Sequence, residues 1–129
     1  MANRRFFQFR YSVQRDVVEL VCKASIGASG AVTISSTDAK GIASITKEST
    51  AGQYTIALQD NYNALMHVAA IVLDASPSSS PMVQLISEQV SSSSAPALVV
   101  QFLDAAGAAA NPASGSTIMV KIMLRNAST

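Results

Sequence analysis

Few side chains in this sequence are equipped for chemistry, and their spacing restricts what they can do. The lone histidine, His67, lies inside ALMHVAAIVL with no Cys, Asp or Glu at metal-ligand spacing around it, so it reads as a strand-edge or core residue making an ordinary hydrogen bond. The lone cysteine, Cys22, excludes an internal disulfide and a cysteine-rich metal site. It falls on the apolar side of an alternating run, where a thiol behaves as a small hydrophobe and its pKa rises. The eight acids, Asp16, Glu19, Asp38, Glu48, Asp60, Asp74, Glu88 and Asp104, stand singly. They form no adjacent carboxylate pair and no calcium loop. The glycine-rich GASGAV, residues 27–32, lacks the lysine of a phosphate-binding loop and leads into no helix, which makes it a hairpin or bulge. No catalytic residue, metal ligand or cofactor site is expected from these patterns, and enzymatic activity is not expected either.

The dense cluster is at the start. NRRFFQFRYSVQR, residues 3–15, holds Arg4, Arg5, Arg10 and Arg15, four of the nine basic residues, ahead of the first acid at Asp16. Phe6 precedes an alternation in which Phe7, Phe9, Tyr11 and Val13 are separated by Gln8, Arg10 and Ser12. An extended chain with that pattern presents one apolar stripe and one polar, basic stripe. Three readings fit it. The first is a protein-binding arm that adds a strand to a neighbour's sheet, with the aromatic rings filling pockets and the arginines meeting carboxylates. The second is the first strand of the domain's own sheet, its arginines serving as edge charges that discourage aggregation. The third is a stacking platform for single-stranded nucleic acid. The net charge of only +1 over the chain weighs against that one, since such proteins carry a wider basic surface.

The elements that must position these residues follow from composition and period. A chain of 129 residues, 49% hydrophobic and 13% charged, supports one domain with a real core. Phe6, Phe7 and Phe9 are interrupted by Gln8 and Arg10, so no signal-peptide core forms. The longest apolar run, Val68 to Leu73, is far short of the roughly 20 residues that a membrane helix requires. A soluble, unprocessed chain with no membrane partner is the expectation. Val18, Leu20, Cys22, Ala24 and Ile26 occupy alternate positions, as do Tyr54, Ile56 and Leu58, then Leu98, Val100 and Phe102, then Ile118, Val120, Ile122 and Leu124. Period two predicts half-buried strands. Val68–Leu73, apolar at every position, predicts a central strand covered on both sides. Between the strands lie Gly-, Pro- and Ser-rich connections: 27–30, 49–52, 77–81, 91–96 and 107–115. The one helical candidate is a turn near 60–66, capped by Asp60 or Asn61 and carrying Tyr62, Leu65 and Met66. The fold class is therefore all-β: a single antiparallel β-sandwich or Greek-key, jelly-roll-like barrel of about seven to nine strands over 16–129. An extended arm over 1–15 precedes it.

The order of features resembles a family. RRFFQFRYSVQRDVVEL, the turn GASGAV, the hairpin-like KGIASITKESTAGQYTIAL followed by DNYNAL, and the closing GSTIMVKIMLRNAS are together similar to small structural proteins of tailed bacteriophage virions, above all capsid decoration, or cement, proteins. The resemblance spans most of the chain and implies a protein without catalytic residues. Such a protein is made in the host cytoplasm, binds the surface of an assembled head and braces neighbouring major capsid proteins. Its implied partners are the major capsid protein and copies of itself, as a trimer or dimer. A tail or fibre-tip module that binds a host receptor, or a neck connector, is the alternative. Against sugar recognition stands the absence of Trp; beyond the start, Tyr54, Tyr62 and Phe102 are the only aromatic residues.

Overall fold

A computed structural model describes residues 17–34, 39–74 and 82–126 of the chain. They form eight strands: β1 (Val17–Ile26), β2 (Val32–Ile34), β3 (Ile42–Lys47), β4 (Gln53–Leu58), β5 (Ala64–Leu73), β6 (Met82–Glu88), β7 (Ala97–Leu103) and β8 (Thr117–Arg125). Each alternating run of the sequence becomes one of these strands, because period two lets a strand bury one face and solvate the other.

The strands make two four-stranded antiparallel sheets, ordered β2-β1-β8-β5 and β3-β4-β7-β6. Leu20, Cys22, Ala24 and Ile26 of β1 and Ile118, Val120, Ile122 and Leu124 of β8 turn inward from the first sheet. Facing them, Tyr54, Ile56 and Leu58 of β4 and Leu98, Val100 and Phe102 of β7 turn inward from the second. Each fully buried Ile, Leu or Phe contributes about 1.5–3 kcal/mol by leaving water, so this double layer dominates the stability. Consecutive strands β5 and β6 sit in opposite sheets but approach each other at one seam, and β8 returns beside β5. The spatial order β8-β5-β6-β7 is that of a Greek key.

Two expectations are corrected. There is no helical turn near 60–66: the Tyr62 N–H donates to the Val90 carbonyl at 2.8 Å and the Asn63 N–H to that of Arg125 at 2.9 Å. Long-range bonds within the chain thus claim this stretch before a local turn can. Among the described residues the single 3-10 turn is Ala28–Gly30, within GASGAV, where it closes the β1–β2 hairpin between Ile26 and its partner Val32. The second correction concerns Val68–Leu73. This run is part of β5, an edge strand, and Ala69, Ile71 and Leu73 lie open to solvent rather than under a second layer.

One end of the sandwich is tied by polar contacts. The Gly52 N–H donates to Asn111 Oδ1 at 2.8 Å, while the Phe102 N–H donates to the Gly52 carbonyl at 2.8 Å and the Ala110 N–H to the Phe102 carbonyl at 3.1 Å. Gly52 has φ +72°, and a Cβ there would lie 2.4 Å from the Phe102 carbonyl oxygen, so only glycine fits. Tyr54 Oη donates to the Gly30 carbonyl at 2.9 Å, and the Tyr54 and Phe102 rings meet edge to face at 5.6 Å.

Candidate interaction surface

The residues whose chemistry the sequence raised are dispersed. Cys22 is buried on the inner face of β1, where burial pushes its thiol up to about 11. That is the inert, structural environment its position implied. His67 stands exposed on the outer face of β5. Among the described residues no group of three or more His, Cys, Asp or Glu side chains is close enough to hold a metal ion. The arm residues Arg4, Arg5, Phe6, Phe7, Phe9, Arg10, Tyr11, Val13 and Arg15 lie outside the described residues.

What the fold assembles instead is a surface. Register places Lys23, Met119 and Ile71 in one row across the outer face of β1, β8 and β5, with Val21, Lys121 and Ala69 in the row beside it. Leu73 follows beyond Ile71, and Glu19 and His67 flank Met123 on the other side. Ile71 and Leu73 keep 62% and 63% of their surface in water and Val21 keeps 54%. An open depression of about 240 Å³ lies among Val21, Ala69, Ile71, Met119, Val120 and Lys121. Lys121 pairs with Glu19 at 3.2 Å across the strands. With Lys23 and Arg125 on the same face, three fixed positive charges stand against one negative. Apolar patches rimmed by polar groups mark contact sites on soluble proteins.

The outer face of the other sheet differs in kind. Gln53, Gln101 and Gln84 align in one row, and Thr46 and Thr55 pair beside it, giving a polar surface on which the Glu48 carboxylate accepts from the Thr55 hydroxyl. At the rim of that sheet, however, Met82, Leu85 and Ile86 of β6 are between 40% and 49% exposed. Among the described residues, five of the six exposed large hydrophobic side chains therefore belong to β5 and β6, the two strands that meet at one seam.

Sequence reading could not foresee this surface. The signal was present in VAAIVL, but a strand covered by its own domain and one awaiting a partner share the same apolar run. No family model, curated protein or solved structure matches the chain.

Proposed function

We propose that this protein is a non-enzymatic structural component of a virion, a decoration or cement protein that binds the surface of an assembled phage head and bridges neighbouring major capsid proteins. One observation carries the reading: the apolar and basic outer face of the β1-β8-β5 layer, with Val21, Ile71, Leu73 and Met119 framed by Lys23, Lys121 and Arg125. A broad, nearly flat face of this kind suits a protein surface better than a small molecule, which is bound in a deep cleft. The resemblance of the sequence to decoration proteins supports the same reading. Shell binding gains from several contacts at once, since each further contact acts at high effective concentration. The sheet face supplies one contact and the arginines of the N-terminal segment supply another.

Counting copies per particle tests the proposal. Quantitative mass spectrometry of purified particles should find hundreds of copies, scaling with the capsid protein. A number matching a single symmetric ring would indicate a neck connector instead, and only a few copies would indicate a fibre tip.

A further inference from the structure

An edge strand is a ready acceptor for another strand, and proteins ordinarily blunt it with charge, proline or short length. β5 carries none of these devices. It runs for ten residues with no Lys, Arg, Asp, Glu or Pro. After one irregularity between Leu65 and His67, its ladder with β8 is unbroken from His67 to Leu73. Among the described residues nothing pairs with its other side. Beside it, across the seam, β6 leaves Met82, Leu85 and Ile86 uncovered. A strand laid along β5 would complete the main-chain ladder and, with its inward face, cover Leu85, which register with Val100 turns to the inner side of β6.

We infer that the occupant of this edge is the N-terminal segment of a second copy of the chain, residues 7–13, added to β5 as a fifth strand of the sheet. The lengths agree: Phe7 to Val13 is seven residues, as is His67 to Leu73. The pattern agrees as well, since Phe7, Phe9, Tyr11 and Val13 form one stripe to turn inward over Leu85, leaving Gln8, Arg10 and Ser12 in water. The segment is assigned to a neighbour because the four residue steps from Val13 to Val17 span only about 14 Å at full extension, with no slack for a detour within one subunit. Val17 begins β1 in line with Arg125 and Ala64, so the free edge of β5 is about three strand spacings, roughly 14 Å, away. The end of β8 and the start of β5 lie between. They are pinned together by Asn63, whose N–H donates to the Arg125 carbonyl at 2.9 Å and whose side-chain amide donates to the Asn126 carbonyl at 3.2 Å. Each copy then has one donor segment and one acceptor edge, which closes as a two-fold dimer by mutual exchange or as a small head-to-tail ring.

This deepens the assembly reading proposed above, on which it rests for the role of the segment, but its test needs no shell. Full-length chains carrying Phe7→Cys, Phe9→Cys or Tyr11→Cys, the three covering alternative registers, are each mixed with full-length chain carrying Ala70→Cys and oxidised. Cys22 is buried and stays out of the reaction. The expected result is a disulfide-linked heterodimer on a non-reducing gel with at least one donor, abolished when Phe7 and Phe9 at the remaining positions are changed to Glu. Light scattering should show the unmodified chain as a closed oligomer of defined mass and the Phe7→Glu, Phe9→Glu chain as a monomer. If cross-linking occurs only within a single chain carrying both cysteines, the segment packs on its own β5 and the inference is overturned. It is equally overturned if the Ala70→Cys chains link only to each other, or if no donor links at all. Loss of shell binding with cross-linking intact would instead count against the assembly reading alone.

Discussion

The sandwich has two lateral seams, one between β2 and β3 and one between β5 and β6, and they are finished in opposite ways. At the first, β2 is only three residues long, β3 turns Ile42 and Ile45 into the core, and Leu20 packs over Gly41. No large hydrophobic residue of β2 or β3 is exposed. At the second, β5 is long and uncharged, and both strands leave large apolar side chains in water. A closed seam serves stability, because its side chains have already gained what burial offers. An open seam leaves that gain for a partner. Substitutions on the closed side should therefore act on folding and those on the open side on association.

The largest effect expected is at Gly52→Ala. The replacement forces a side chain into a positive-φ conformation and against the Phe102 carbonyl, between backbone segments that cannot yield. A loss of about 3 kcal/mol or more is expected, since strained backbone alone costs 1–3 kcal/mol and the clash adds to it. Urea denaturation gives the value directly. If Gly52→Ala unfolds at the unmodified midpoint, the tied end of the sandwich does not hold it together as described.

The next effect is on pH. Burial raises the pKa of the Cys22 thiol from 9.0 to about 11 and that of the Tyr54 phenol in the same direction. The folded state thus holds protons that the unfolded chain has already released. Stability is complete below the unfolded value and falls as pH climbs from about 9 towards 11. For Cys22 the loss is about 2 kcal/mol across that window, at about 1.4 kcal/mol per pH unit of displaced titration. Urea midpoints at pH 8 and pH 10.5 measure it, and Cys22→Ala should flatten the slope. Tyr54→Phe at neutral pH removes the bond to the Gly30 carbonyl, leaving a buried acceptor without that donor, for a loss of about 1 kcal/mol.

How far the contrast between seams could be read in advance varies with the strand. β1, β4, β7 and β8 alternate cleanly because each has one buried and one solvated face. β3 does not, since an irregularity between Ile42 and Ser44 puts its two inward residues, Ile42 and Ile45, three apart. β6 escaped notice because an edge strand leaning into solvent on both sides has no alternation to show. The position of β5 at the edge was invisible for a different reason: burial by the domain and burial by a partner select the same residues. Asn111 gave no signal at all, as its partners Gly52 and Ser29 come from distant parts of the chain. The candidate surface was thus the least legible part of the molecule, and the core the most.

The smallest effect on folding is the one that tests the contrast most sharply. Ile71→Lys places a charge on the outer face of β5, where the native side chain is already 62% exposed and the new ammonium reaches water freely. Its urea midpoint should match the unmodified protein within about 0.5 kcal/mol, as for ordinary surface changes. On the proposed function, binding to phage heads should nevertheless drop by tenfold or more, because the apolar contact is replaced by a group that must be desolvated on docking. Lys121 and Met119 neighbour Ile71 on this face, so the added charge also meets like charge. Co-sedimentation of purified protein with particles lacking it gives the binding, and denaturation of the same preparation gives the stability. A variant that loses stability but binds normally would show that Ile71 belongs to the closed half of the molecule after all. Unchanged binding with unchanged stability would move the contact off this face entirely, to the glutamine row of the opposite sheet or to the N-terminal segment alone.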